Sequence, residues 1–348
     1  MKKLDIRNII KAIKSTVESH ELEEKGTYCR WLWQNEKNTR EVGINEYGCA
    51  DAMNILYTIN DFYCDEKTRK ARVNAIKAMQ DKDSGMFTEA THHTIHTTAH
   101  CTAAIELFDE KPLYPITYLH QFMTKDSLNK FLDEEVDWND PWPQSHKGAG
   151  IYAALVNAGE ITEDFQRNYF EWMWENADPN LGFWKIGYAN RAPITSARYP
   201  DGRNSPDAIY SYMAGGFHYM FNHEYAKMPL RYPEKIIDSC IEMYENGGLP
   251  EYFGKNINFI EVDWVYCINR ASRQTVYRRD EVVSLLNDFA DKYVDFLSSI
   301  DYKTHDNFND LHLLFGTTCA LAELQAALPG KIITEKPLRL VLDRRPFI

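Results

Sequence analysis

The sequence predicts an all-α protein, a single (α/α)6 toroid made of six helical hairpins. Two observations lead to this fold class. Apolar residues recur at three- and four-residue steps through long segments, whereas the alternating patterns and hairpin turns typical of β-strands are nearly absent. A run of small residues or cysteine inside an apolar stretch also returns six times, at intervals of roughly 50 residues. We expect residues 1–330 to form the toroid and residues 331–348 to form a C-terminal strap.

The outer helix of each hairpin is predicted from amphipathic segments. Five of them carry a clear helical period, at residues 4–21, 66–79, 163–176, 233–244 and 282–298. Polar turns that contain glycine lie at residues 80–87, 175–184 and 245–253. We therefore interpret each hairpin as an outer helix, a glycine turn and then an inner helix.

The inner helices are predicted from the six small-residue runs. These runs begin at Gly48, His100, Gly148, Ala214, Val265 and Thr317. Small side chains let neighbouring helices approach closely, as an inner ring of helices requires. Six hairpins of this kind account for nearly the whole chain.

Composition narrows the class of protein. The 348 residues include 39 Lys and Arg against 51 Asp and Glu, and the net charge of -12 argues against nucleic-acid binding. No stretch approaches the roughly 18 apolar residues of a membrane span, and the charged start of the chain does not fit a signal peptide. Seven cysteines occur singly without a CxxC pair, as expected for reduced core residues. We expect a cytoplasmic protein, and the sequence carries no signal for an oligomeric state.

The repeat resembles the six-hairpin toroids of two superfamilies. One holds the six-hairpin glycosidases and toroidal polysaccharide lyases, and the other holds the terpenoid cyclases and protein prenyltransferases. Gln80, Gly85 and Phe87 are also similar to the repeat motif of triterpene cyclases, in which Gln is followed by Gly-x-Trp. The resemblance covers nearly the full length, but no catalytic signature of one family is present. It implies an active site in the funnel formed by the starts of the inner helices.

Helix electrostatics point to the same end of the ring. The N-terminus of a helix carries about half a positive charge and unsatisfied N–H groups, so an end where six of them gather favours anions. Residues at these helix starts are therefore candidates for substrate binding, although polar residues there are also common as caps. The candidates are His93, Trp142, His146, Tyr210, Trp264, Asp310 and His312.

The third interval between repeats is longer than the others. Its extra residues, 187–206, contain three arginines, of which Arg198 is the candidate for substrate binding. A long loop at a funnel is often a lid, and arginine holds carboxylate or phosphate groups in a bidentate manner. A solvated surface loop is the alternative interpretation.

A histidine cluster, THHTIHTTAHC, supplies the first catalytic candidate, His96. Histidine titrates near neutral pH and serves in acid–base catalysis. His92, His96 and His100 share one helix stripe, but the outer two are about 12 Å apart at 1.5 Å per residue. One ion would bind only an i,i+4 pair, the HExxH pattern is absent, and the sequence identifies no third ligand. We therefore predict no metal and no other cofactor.

Carboxylates supply the other catalytic candidates, Glu261, Asp263 and Asp207. Glu261 and Asp263 lie inside the apolar run NFIEVDWVYCI, and paired carboxylates carry out glycoside hydrolysis. Two residues apart on a helix they diverge, so the second member of a pair is alternatively Asp207 or Asp310. A salt bridge down the helix is the structural alternative for Asp263, and capping is the alternative for Asp207.

Aromatic residues reach 13% of the chain, and tryptophans such as Trp142 and Trp264 fall near the predicted funnel. Their rings suit the apolar faces of sugars and also the stabilisation of carbocations. The first hypothesis is a glycoside hydrolase or lyase that acts on a small, acidic oligosaccharide by carboxylate and histidine chemistry. A terpenoid or prenyl-type enzyme is the second, although its aspartate-rich motifs are missing. The third is a toroid without catalytic activity that binds a ligand or a partner protein.

Overall fold

The computed structural model describes residues 2–184 and 209–348 of the chain. Helices make up 58% of the residues and strands 2%, which confirms the predicted all-α class. None of the described helices combines the length and the apolar character that a membrane crossing requires. All seven cysteines are among the described residues; none forms a disulfide, and only Cys64 is exposed.

The described part of the chain is built mainly from helices. In chain order they are α1 (Arg7–Ser19), α2 (Glu46–Thr58), α3 (Glu66–Lys77), α4 (Thr94–Glu106), α5 (Lys125–Lys130), α6 (Pro141–Gly148), α7 (Gly150–Ala158), α8 (Glu163–Glu175), α9 (Ile209–Ala226), α10 (Pro233–Glu245), α11 (Ile260–Ser272), α12 (Arg279–Ser299), α13 (Leu311–Ala327) and α14 (Val341–Arg344). Short 3-10 segments lie at Thr117–Phe122 and Asp306–Phe308, and a π segment lies at Phe131–Glu135. Strands β1 (Leu4–Asp5) and β2 (Ile332–Ile333) pair in parallel.

The buried centre consists of α2, α4, α6 together with α7, α9, α11 and α13. Helix α4 packs against α2 and α7, α9 packs against α6 and α11, and α13 packs against α11 and α2. Each of these elements thus has two central neighbours, in cyclic order. In α11, 12 of 13 residues are buried, whereas α1 buries only 3 of 13. Helices such as α1 therefore cover the centre with a single apolar stripe.

The small residues of the central helices are required by close contacts between elements. At Gly48 of α2, a Cβ atom would lie 2.5 Å from the carbonyl carbon of Cys29. At Gly215 of α9, it would lie 2.7 Å from the carbonyl oxygen of Pro141, the first residue of α6. No side chain fits at such distances, so these glycines set how closely the backbones approach.

The Gln80–Gly85 pattern organises the turn after α3. The Gln80 amide donates to the carbonyl oxygens of Gly85 and Tyr114, both at 2.8 Å, and accepts from the Tyr114 N–H at 3.0 Å. Gly85 has a φ of +73°, a conformation that favours glycine. The pattern therefore holds a turn against the segment that follows α4.

Residues 331–348 run from β2 into the centre of the protein. Beyond β2, the Leu338 N–H donates to the Gln325 side chain at 2.7 Å and the Arg339 N–H donates to the Thr58 carbonyl at 2.8 Å. These contacts lie near the C-terminal ends of α13 and α2. The segment then continues through α14, and Phe347 is fully buried with its ring 4.7 Å from that of His96.

Candidate functional site

A cavity of about 160 Å³ lies among the central helices and is lined by five histidines. They come from five places in the fold: the segment before α4 and helices α4, α6, α9 and α13. These residues are His92, His96, His146, His218 and His312. Larger clefts exist on the surface, such as one of about 610 Å³ beside Tyr244, but that cleft has no histidine in its lining. The histidine cavity is therefore the site where titratable groups converge.

Three of these histidines form a compact group. One ring nitrogen each of His96, His146 and His218 lies within 4.8 Å of the other two. The ring centres of His96 and His146 are 4.2 Å apart, and those of His146 and His218 are 5.2 Å apart. Because the three side chains come from α4, α6 and α9, the packing of these three helices creates the group.

Hydrogen bonds hold the Nδ1 atoms of two of these imidazoles in place. His96 Nδ1 lies 2.5 Å from the Tyr47 hydroxyl oxygen. His218 Nδ1 lies 3.2 Å from the Ala214 carbonyl oxygen and 3.0 Å from Ser145 Oγ. Since a carbonyl oxygen only accepts, His218 Nδ1 carries the proton and its Nε2 keeps a lone pair.

Burial keeps these imidazoles neutral near pH 7. It lowers the pKa of His96 and His146 well below the usual value, and it lowers the pKa of His218 to about 3. The neighbouring imidazoles lower the pKa of each further, because two positive charges so close together repel. Neutral imidazoles offer lone pairs to a proton or to a metal ion.

A buried carboxyl group faces the same cavity. Asp263, in the first turn of α11, lines the cavity and is only 1% exposed. Neither of its carboxyl oxygens has a hydrogen-bond partner among the described residues. Burial, and then the nearby Glu261 carboxyl, raises the pKa of Asp263 well above its ordinary value. Asp263 is thus a proton-holding group placed beside neutral imidazoles.

His312 belongs to a second hydrogen-bonded group. Asp51 on α2 accepts from His312 Nδ1 at 3.1 Å and from His100 Nε2 at 2.8 Å. The two imidazoles hold the pKa of the Asp51 carboxyl below its usual range, because their N–H groups favour its charged form. This carboxylate fixes the orientation of His312, whose ring lines the cavity.

A buried ion-pair network closes one side of the cavity. The Arg30 guanidinium donates to Asp310 at 2.9 Å and lies 3.6 Å from a Glu89 carboxylate oxygen. Thr91 accepts from the same guanidinium at 2.8 Å. With two carboxylates around one guanidinium, the positive charge of Arg30 is already offset within the protein.

Five of the residues predicted from the sequence meet at this cavity. They are His96, Trp142, His146, Asp263 and His312. Trp142 and His146 keep part of their surface exposed, whereas the other three are buried. The histidine cluster and the apolar run that contains Asp263 are therefore brought together across the protein.

Two predicted carboxylates serve other contacts. Glu261 does not line the cavity; its carboxyl oxygen accepts from the Gly254 N–H at 3.0 Å, and burial raises the pKa of Glu261 to about 8. Asp310 caps α13 by accepting from the His312 N–H at 2.9 Å, besides pairing with Arg30. Of the expected Glu261–Asp263 pair, only Asp263 lines the cavity.

Three predicted substrate-binding residues also lie elsewhere. His93 caps α4, where its Nδ1 accepts from the Ile95 N–H at 3.2 Å. Trp264 is fully buried, donates to the Cys240 carbonyl at 2.9 Å and stacks on Tyr244. Tyr210 is fully buried with its ring against that of Trp142. None of the three lines the cavity: His93 is a helix cap, and the two aromatic residues pack between helices.

Two predictions fall outside the described residues. Asp207 and Arg198, together with the proposed lid at residues 187–206, lie in the stretch between residues 184 and 209.

The prediction missed several residues of the site. His92 belongs to the histidine cluster and His218 to the fourth small-residue run, but neither was selected as a site residue, although both line the cavity. No local sequence pattern marks Arg30 or Asp51, because their partners Asp310, His100 and His312 lie far away along the sequence. Tyr47 follows the capping residue Asn45 of α2, and its role comes from a hydrogen bond to another helix.

No family model, curated protein or solved structure matches this chain. The arguments about function therefore rest on the residues of the cavity.

Proposed function

We propose that the protein is an enzyme with a six-hairpin toroidal architecture whose active site is the histidine cavity. The cyclic packing of α2, α4, α6 with α7, α9, α11 and α13 supports the toroid. Amphipathic helices that flank each central element, such as α10 beside α11, support the hairpin arrangement. In such a ring, side chains from several helices converge at the centre without any of them being close in sequence.

The observation that carries the enzymatic proposal is the environment of Asp263. A carboxyl group that is buried and has no hydrogen-bond partner among the described residues is costly to maintain. Perturbed carboxyls of this kind in a cavity are characteristic of functional sites. Asp263 lines the same cavity as three neutral imidazoles, so a proton-holding group and proton acceptors share one small space. This arrangement suits hydrolysis or elimination with proton transfer.

The size and lining of the cavity guide the choice of substrate. At about 160 Å³ the cavity is smaller than the roughly 300–1,000 Å³ of most ligand pockets, so it fits the reacting end of a small molecule. Trp142 offers a partly exposed aromatic face at the rim, which suits a sugar ring. We therefore propose a small carbohydrate, or a molecule of similar polarity, as the substrate. Asp263 and the histidines of the cavity would carry out the acid–base steps that the sequence had suggested for a pair of carboxylates.

The alternative functions receive less support from this cavity. A polyene or prenyl substrate requires a deep apolar pocket, whereas this cavity of about 160 Å³ is small and has five histidines, Arg30 and Asp263 in its lining. A binding protein without catalytic activity has no need of an unpaired buried carboxyl, which lowers its stability.

The proposal is tested by turnover assays with a matched pair of variants. A thermal-shift screen with monosaccharides, uronates, disaccharides and prenyl diphosphates first selects ligands, since a ligand of the native state raises the melting temperature. We expect Asp263→Asn to reduce turnover of a selected sugar by about 10²–10⁴-fold, the usual contribution of a general acid or base. Asp280→Asn, the same substitution at an exposed position of α12 outside the cavity lining, is the control and should retain turnover. Equal activity of both variants, or thermal shifts only with prenyl diphosphates, would contradict the proposal.

A further inference from the structure

Three imidazoles of the cavity have the spacing of metal ligands. One nitrogen from each of His96, His146 and His218 lies within 4.8 Å of the others. If all three nitrogen–nitrogen separations were 4.8 Å, a point at their centre would lie about 2.8 Å from each nitrogen. Each nitrogen would then need to move about 0.7 Å toward that point to reach the zinc–nitrogen distance of about 2.0–2.1 Å. Side-chain rotations provide shifts of that size without moving α4, α6 or α9.

The hydrogen bonds around these imidazoles orient them for this role. His218 Nδ1–H donates to the Ala214 carbonyl, and His96 Nδ1 is bonded to the Tyr47 hydroxyl. In both residues Nε2 is thus the nitrogen left for an ion. Histidines that bind metals generally use their second nitrogen in this way, which fixes the tautomer and the ring orientation.

Asp263 supplies the negative charge that a cation requires. Its two carboxyl oxygens are buried and have no hydrogen-bond partner among the described residues, although the side chain lines the cavity. A divalent cation at the imidazoles would stabilise the ionised carboxylate. Asp263 is not part of the compact group of nitrogens, so the set consists of three protein ligands and a fourth position near a carboxylate. Catalytic zinc sites have this composition, with three protein ligands and an open position.

Neighbouring charged groups do not oppose the cation. Arg30 also lines the cavity, but Asp310 and Glu89 surround its guanidinium. Among the described residues, a second group with suitable donor atoms consists of Asp51, His100 and His312. There the facing nitrogens carry protons that they donate to Asp51, so their lone pairs are not available to an ion.

We propose that His96, His146 and His218 bind one divalent transition-metal ion, with Zn²⁺ preferred, and that Asp263 faces its fourth coordination position. The sequence had indicated no metal because the three ligands lie on three different helices. A bound ion would polarise a substrate oxygen or a water molecule. This catalytic role rests on the proposed function, whereas the binding of the ion does not and is measured without any substrate.

The first experiment uses the full-length wild-type protein. A chelator removes any bound metal, and the dialysed protein is then titrated separately with Zn²⁺ and with Co²⁺. The bound metal is measured by inductively coupled plasma mass spectrometry. We expect one equivalent of either ion, and for Co²⁺ a visible absorption spectrum of a four-coordinate site that disappears when Zn²⁺ is added. Absence of stoichiometric binding of either ion at micromolar concentrations would overturn the proposal.

Variants then locate the ion. His146→Gln changes a partly exposed ligand and should weaken Co²⁺ binding by more than about 100-fold, beyond the loss seen when only a supporting residue is changed. His100→Gln, in the Asp51 group, and His223→Gln, at a buried histidine outside the cavity, should each keep one equivalent. Circular dichroism checks that each variant is folded. Loss of the ion in His100→Gln with retention in His146→Gln would overturn the assignment, and the wild-type titration decides the question of binding even if a variant does not fold.

These results separate the two proposals. Metal binding without turnover of any sugar would leave the metal site standing and contradict the proposed function. Turnover that depends on Asp263 in a protein free of metal would support the proposed function and contradict a catalytic role of the ion, and the titration would still decide whether the ion binds.

Discussion

Glu261 provides a sharp test of how burial controls the charge state of a carboxyl group in this fold. The side chain is fully buried in α11, and its only hydrogen bond to a described residue comes from the Gly254 N–H at 3.0 Å. Replacement by glutamine preserves the shape and an oxygen that accepts from Gly254, but removes the ability to ionise. The change therefore isolates the energetic effect of the charge.

The magnitude follows from the pKa. Burial raises the pKa of Glu261 from 4.5 to about 8 in the folded protein. Between these two values the native state holds a proton that the unfolded state releases, so the free energy of unfolding decreases as pH rises. At about 1.36 kcal/mol per pKa unit, this change amounts to as much as about 5 kcal/mol between pH 4.5 and pH 8. Glu261→Gln should lack this dependence and should be the more stable protein at pH 8.

The measurement is urea unfolding of the wild type and Glu261→Gln at several pH values from 4.5 to 8. The difference in free energy of unfolding between the two proteins should grow with pH, by several kcal/mol in favour of the variant. Glu242→Gln, at an exposed position of α10, is the control and should show a small difference at every pH. A difference that stays constant for Glu261→Gln would refute the reasoning, because it would mean that the ionised carboxylate is solvated or paired.

Two further predictions concern acid stability and close packing. Burial lowers the pKa of His223 from 6.5 to about 4, so between these pH values the unfolded state binds a proton that the native state does not. The free energy of unfolding therefore falls as pH drops from 6.5 to 4. His223→Leu should reduce this fall by about 3 kcal/mol, as measured by urea unfolding at pH 4 and pH 7. Gly85 and Gly247 have φ values of +73° and +75°, but only at Gly85 would a Cβ overlap the Pro115 carbonyl oxygen. Gly85→Ala should therefore lower the free energy of unfolding by at least about 1–3 kcal/mol more than Gly247→Ala, and equal losses would contradict the close contact.

Much of the helical structure could be predicted because its signals are local. The periodic segment at residues 66–79 became α3 (Glu66–Lys77), and that at residues 233–244 became α10 (Pro233–Glu245). The periodicity of a helix lies within a few turns, so the sequence alone specifies it. The segment at residues 4–21 was less accurate at its ends, because its first residues form β1 with a partner near the end of the chain. A strand pair of that kind has no local signal.

The site was predicted less completely. His96 stood out as a member of the histidine cluster and Asp263 as an ionisable residue inside an apolar run, and both line the cavity. Trp264 was predicted from its place near the start of an inner helix but packs against Tyr244, since a residue's direction around its helix depends on the neighbouring helices. Glu261, two residues before Asp263, faces away from the cavity for the same reason.

The sequence by itself determined the helical class, the glycine turns and the set of ionisable residues placed within apolar helices, because each of these depends on neighbours within one or two turns. The tertiary structure alone decided which of those residues meet. His96, His146 and His218 come from three helices, and Asp263 comes from a fourth. Their convergence depends on helix packing, in which close approach at glycines such as Gly215 sets the distance and direction of every side chain. A metal site or an acid–base site built across helices is therefore a property of the packing, although each of its residues is visible in the sequence.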